Sequence, residues 1–137
     1  MKRVNEKEEI MILNLDFNSE KPIYLQIKEE IIKSIARGEL KSQDSLPSVR
    51  MMSEEIGVNL HTVNKSYNIL KDENYINIDR RKGAIINDLP LQKNEDYQMS
   101  LDEEIEYLVA QSFLKGITKE EFLDMCSKYY DKYGGKR

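Results

Sequence analysis

The sequence predicts a mainly α protein with a small β-wing and a C-terminal helical hairpin. Three observations carry this. Apolar residues recur at helical spacing three times before residue 74. Two short β-like runs then flank a basic tip that ends in Gly83. Two helix-start patterns follow in the last third, opened by Ser100 and by Thr118. The expected organisation is an N-terminal arm over 1–15, a first domain over 16–87, a linker over 88–98 and a helical domain over 99–137.

Taken in order, the charged arm leads into Met11–Phe17, whose alternation suits a short extended segment. Asn18–Lys21 is a turn, and Pro22 suits a first helical position. Ile23, Ile27, Ile31 and Ile35 then recur every four residues, while Lys28, Glu29, Lys33 and Arg37 fall elsewhere. That is an amphipathic helix, ended by Gly38. Lys41–Ser45 reads as a polar loop. A second helix is expected from about Pro47 to Glu55, with Val49, Met52 and Ile56 inward and Gly57 closing it. A third runs from about Leu60 to Glu73, capped by Asn59. Val63, Tyr67 and Leu70 form its buried stripe; His61, Asn64, Lys65 and Asn68 lie on another face.

Tyr75–Ile78 and Ala84–Ile86 are the two β-like runs, and Asp79–Gly83 is the hairpin tip between them. Asp88–Gln98, with Pro90, reads as a linker. Ser100 and Glu103 form a capping-box pattern with acids in the first turn, where the helix dipole favours them. Leu101, Ile105, Leu108, Val109 and Phe113 line one face of that helix, and Gly116 breaks it. Thr118 and Glu121 repeat the capping box. Phe122, Met125, Cys126, Tyr129 and Tyr133 mark a final helix, stopped by Gly134 and Gly135.

Composition excludes several classes of function. With one cysteine (Cys126) and one histidine (His61), no disulfide framework, multi-cysteine zinc site or histidine-rich catalytic site can be assembled. No cofactor or metal is expected. No stretch approaches the ~18 apolar residues of a membrane span. The apolar patch Ile10–Leu13 is too short for a secretory signal, so a cytoplasmic protein is expected. Acid pairs such as Glu54-Glu55 and Glu120-Glu121 fall on exposed helix faces and need no catalytic explanation.

The formal net charge of −4 would ordinarily count against nucleic-acid binding. It is unevenly spread. Residues 16–87 hold 11 basic and 11 acidic side chains, and residues 88–137 hold 7 and 11. Screening confines each patch to about 8–10 Å, so a neutral domain can still carry a basic face.

Helix, helix, short turn, helix, basic-tipped hairpin is the order of a winged helix-turn-helix. A small residue in the second helix, a glycine at the turn and an apolar anchor in the third are its grammar, met by Ser53, Gly57 and Val63. The third helix then offers His61, Thr62, Asn64 and Lys65 to a major groove. The tip Arg80-Arg81-Lys82-Gly83 reaches a minor groove or phosphates.

Leu46-Pro47-Ser48-Val49-Arg50, Gly57-Val58-Asn59, Thr62-Val63, Tyr67 and Leu70 together look like the GntR family of bacterial transcription regulators. Pro22–Ile27 and Gly38-Glu39-Leu40 match its first helix and loop, so the resemblance covers about residues 16–87. The short two-helix tail resembles the YtrA-like branch, in which that part serves dimerisation. The resemblance implies DNA contact by Arg50, by the residues opening the recognition helix (Asn59, Leu60, His61, Thr62) and by Lys82 and Gly83 of the wing. Leu60 stands where a polar or basic residue is frequent, and Asn64 where Arg is frequent, so the operator is expected to be distinctive.

Plainer roles compete at each position. Arg50 can pair with Glu54 four residues on, Ser48 can cap its helix or bond a phosphate, and Arg80-Arg81-Lys82 can be a solvated turn. Cys126 is expected to be a small buried hydrophobe. Two helices of some 15 residues enclose little alone. Leu101, Ile105, Leu108, Val109, Phe113, Phe122, Met125, Tyr129 and Tyr133 are therefore expected to meet the same helix pair of a second subunit. Tyr129, Tyr130 and Tyr133 could instead line a small-ligand pocket, and an unidentified small-molecule effector is a candidate partner. The function expected is a homodimeric repressor on a palindromic double-stranded DNA operator, regulated through a hinge at 88–98. The alternative is a winged-helix protein-interaction module that binds no DNA.

Overall fold

The structure, a computed structural model, describes residues 2–6 and 9–134, with side chains from residue 13 onward. Two strands, β1 (Lys2–Glu6) and β2 (Glu9–Leu13), pair antiparallel with Lys2 opposite Leu13. The arm is thus a hairpin, with β1 beside the second helix and β2 beside the first. The expected extended segment ends at Leu13, not Phe17. Beyond it the chain is taken up by side chains of the first helix: Asn14 N–H donates to Glu30 Oε1 (2.9 Å) and Asp16 N–H to Gln26 Oε1 (2.8 Å). Backbone groups satisfied this way have no strand partner to extend the ladder.

Helix α1 (Ile23–Ala36) starts one residue later than expected, because Pro22 at ψ 143° is still extended and serves as its cap. Ile27 and Ile31 are fully buried in its apolar stripe. Helix α2 spans Val49–Ile56 and helix α3 Leu60–Asp72. Gly57, at φ 68°, provides the left-handed residue that ends α2 and lets α3 start three residues later. Strands β3 (Ile76–Asp79) and β4 (Gly83–Ile86) form the wing.

Residues 43–46 pair along the other edge of β4, so the expected polar loop at Lys41–Ser45 is in part sheet. Ser45 bridges Ile85, and Gln43 N–H donates to Ile86 O, Ile86 N–H to Asp44 O and Leu46 N–H to Ala84 O, each at 2.8 Å. Backbone pairing of this kind needs no alternating side chains, and Lys41–Ser45 has none. Leu13, Ile27, Ile31, Met52, Ile56, Val63, Leu70 and Ile86 meet in one core between the helices and the wing.

The chain divides into two compact units, Met1–Leu91 and Gln92–Arg137. The second is helix α4 (Glu95–Leu114) and helix α5 (Lys119–Lys132), packed on each other. Asn94 caps α4, its side chain accepting from Tyr97 N–H at 3.2 Å, so Ser100 lies inside the helix and not at its start. Asn94 with Glu95 and Asp96 satisfies the same rule six residues sooner, a cap followed by acids at the positive end of the dipole. The capping box at Thr118 and Glu121 is present as expected, with both reciprocal bonds. Gly135, expected to help stop α5, lies outside the described residues.

The start of the expected linker is fastened to the first unit. Asn87 N–H donates to Tyr75 O, Gln43 Nε2 to Asp88 Oδ1 and Leu89 N–H to Ser42 Oγ. Between the Leu89 bond and the Asn94 cap lie residues 90–93, a shorter connection than the 88–98 expected. Among the described residues no helix is long and apolar enough to cross a membrane.

Candidate nucleic-acid interface

Helix α3 is held on one side and open on the other. Val63, Ser66, Tyr67 and Leu70 are buried. Two long-range hydrogen bonds fix its rotation: Ser66 Oγ donates to Tyr24 O at 2.6 Å, and Tyr67 Oη to Pro47 O at 2.7 Å. The second bond is buried and ties α3 to the residue just before the α2 cap. Across the turn, Ser53 Oγ donates to Val58 O and Ser53 O accepts from Gly57 N–H at 3.0 Å. The hydroxyl of Ser53 thus adds to the compactness expected of a small residue at that position.

On the open side His61, Asn64, Lys65 and Asn68 are exposed, and Thr62 is half-buried. Asn59 serves as the cap, its Oδ1 accepting from His61 N–H at 2.7 Å. The carboxamide nitrogen of Asn59 is left to donate to an outside acceptor. Leu60 is exposed at the first turn.

Ser48 caps α2, its Oγ accepting from Met51 N–H at 3.1 Å. Its hydroxyl proton remains a donor for a phosphate. Arg50 is exposed, and among the described residues it forms no ion pair with Glu54. Its guanidinium keeps five N–H donors and a permanent charge for an external acceptor.

The wing tip is ordered from within. Asp79 Oδ1 accepts from Arg81 N–H (2.7 Å) and from Lys82 N–H (2.9 Å). These bonds, that from Lys82 first, hold the Asp79 carboxyl below its ordinary value of 3.8. Gly83, at φ 76°, takes the left-handed position that brings the chain back into β4. Arg80, Arg81 and Lys82 are left exposed.

Two contributors were not read from the sequence. Asp79 organises the tip, and its position two and three residues before its partners is the signal of an Asx turn. Tyr24 of α1 lies under Lys65, whose Nζ is 3.9 Å from the ring centroid. No sequence spacing announces that contact, because 41 residues separate the two.

In the second unit eight of the nine residues expected at an interface lie on α4 and α5, Tyr133 caps the C-terminus of α5, and neither helix has a buried residue. Leu101, Ile105, Leu108, Val109, Met125, Tyr129 and Tyr133 are exposed, Phe113 is 78% exposed and Phe122 is half-buried. Cys126 is exposed too, contrary to expectation, because one helix-on-helix seam cannot surround a residue on all sides.

Comparison with known proteins adds to this geometry. The family model described as bacterial regulatory proteins, gntR family, matches residues 23–86. The uncharacterised HTH-type transcriptional regulator YhcF of Bacillus subtilis (strain 168) is 35% identical over 108 residues, which are 79% of this chain and 89% of that one. The HTH-type transcriptional repressor YtrA of the same organism is 28% identical over 128 residues, 92% of this chain and 98% of that one. Among solved structures, YtrA from Sulfolobus acidocaldarius, a GntR-family transcription factor, is similar with a TM-score of 0.61 and 37% identity, covering 72% of this chain and 98% of that one.

Proposed function

Since the chain belongs to the GntR family of bacterial regulatory proteins, whose members are DNA-binding transcription regulators and not enzymes, we propose that it is a homodimeric repressor of a palindromic operator. The observation that carries this is the split face of α3. One side is bolted into the core, and the other presents His61, Asn64, Lys65 and Asn68 to solvent. Arg50 at the start of α2 and the Arg80-Arg81-Lys82 tip supply cations on either side of that helix in the chain. The reading has α3 in a major groove, contacting base edges, and the wing on phosphates or a minor groove.

Dimerisation is assigned to α4 and α5. Their exposed Leu101, Ile105, Leu108, Val109 and Phe113 need an apolar surface, and a second copy offers a matching one about a two-fold axis. Two recognition helices then meet half-sites about 34 Å apart. The repressor role draws on the Bacillus subtilis YtrA likeness. Residues 90–93 form the hinge through which an effector would alter half-site spacing.

Selection of bound duplexes from a random pool tests the reading. The expected product is an inverted repeat with half-sites one helical turn apart, bound with an affinity that falls steeply with salt. Unenriched pools and no duplex binding at low salt would overturn it in favour of a protein-interaction module. On the selected duplex, Arg50→Ala is expected to lose about 1–3 kcal/mol by fluorescence anisotropy. Lys82→Ala should instead weaken all duplexes alike, as a phosphate contact does.

A further inference from the structure

We infer, on the basis of the DNA-binding reading above, that Tyr24 of α1 is a positioning residue of the interface: its ring holds the Lys65 ammonium ready for a DNA phosphate. Tyr24 stands in the first turn of α1, outside the helix-turn-helix itself. Two consecutive residues of α3 grip it. The fully buried Ser66 donates its hydroxyl to Tyr24 O at 2.6 Å, which fixes the backbone that carries the ring. Lys65 then lays its Nζ over that ring, 3.9 Å from the centroid. This is well inside the roughly 6 Å reach of a cation–π contact.

The chemistry suits a held cation better than a neutralised one. A lysine on an open helix face has many rotamers, and ordering them on contact with a phosphate opposes binding. A ring beneath the ammonium restricts those rotamers before DNA arrives. The ring carries no charge, so the ammonium keeps its own, and the N–H donors turned away from the ring face stay available. A carboxylate in the same place would cancel the charge, and among the described residues Lys65 forms no ion pair. The aromatic partner therefore orients Lys65 without spending its charge.

The test uses the full chain and a fluorescein-labelled duplex recovered by the selection above, titrated between about 50 and 200 mM salt. Lys65→Met should weaken binding and reduce the salt slope by about 0.9, the value of one phosphate contact. Tyr24→Leu should weaken binding about two- to fivefold, and Tyr24→Phe, which keeps the ring, should bind as the wild type does. Adding Tyr24→Leu to Lys65→Met should cost nothing further. A Tyr24→Leu chain that binds as tightly as the wild type or more tightly overturns the inference. So does an equal loss in the Lys65→Met background, or a loss on Tyr24→Phe as large as on Tyr24→Leu. If Tyr24→Leu does not fold, the wild type decides by nuclear magnetic resonance. Ring current should move the Lys65 ε-methylene protons upfield, and ordinary lysine shifts there would overturn the inference. A wild type that shows no salt-dependent duplex binding refutes the DNA-binding reading instead, a different result from any of these.

Discussion

The two units of the chain draw on similar apolar residues and end in opposite conditions. In the first, Ile27, Ile31, Met52, Val63, Leu70 and Ile86 have no exposed surface. In the second, Leu101, Ile105, Leu108, Val109 and Met125 remain 41–50% exposed. The difference is in the number of surfaces that each element meets. Helix α3 packs on α1, on α2 and on β3, so its stripe is covered from several directions. Helices α4 and α5 share one seam, and an apolar side chain on a single seam keeps a free flank. Burial thus reports packing partners: α3 has them on three elements, and α4 and α5 have each other.

Truncating the sealed core should give the largest effect. Leu70→Ala removes a side chain with no exposed surface and leaves a hole that its neighbours only partly fill. A loss of about 2–5 kcal/mol is expected in denaturant unfolding of the first unit, at every protein concentration. A smaller loss would mean that the core collapses around the gap, and the contrast with the second unit would weaken accordingly.

The matching change in the open unit should act through association. Ile105→Glu places a charge on the apolar face of α4, where about 1.5–3 kcal/mol per subunit is expected from burying such a side chain between copies. Sedimentation should show a shift from dimer towards monomer, while the unfolding midpoint of the first unit stays where it was. A variant that remains dimeric would move the interface to another face of the two helices. A wild-type chain that is monomeric at all concentrations would remove the proposed dimer.

Legibility in the sequence follows the same division. Ser53, Gly57 and Val63 marked the turn correctly because helix caps, glycine turns and buried stripes depend on residue type at short spacing. The wing was legible for that reason too, through Gly83 and the runs beside it. Features set by distant backbone pairing were not. The edge strand at 43–46 satisfies its N–H and C=O groups on β4, and its polar side chains carry no trace of this. The β1–β2 hairpin offers no alternation to read, since β2 runs Glu9-Ile10-Met11-Ile12-Leu13 with four apolar residues in succession. The exposure of His61, Asn64 and Lys65 follows from helical spacing, but the Lys65–Tyr24 contact needs the crossing of α1 and α3 and so appears only in three dimensions.

The start of α4 offers the finest discrimination, since two capping signals compete six residues apart. Asn94 and Ser100 are both good cap residues, and both are followed by acids. The longer helix wins because starting at Glu95 adds a turn of hydrogen bonds with no residue in it that breaks helices. In a dimer held by α4 and α5, Asn94→Ala should therefore cost about 0.5–2 kcal/mol, read from amide exchange in the first turn of α4. Ser100→Ala should leave exchange unchanged or slightly slowed, because alanine is the better residue inside a helix. The reverse pattern would move the helix start to Ser100, lengthen the connection from 90–93 to 90–99, and loosen the tether between the sealed unit and the open one.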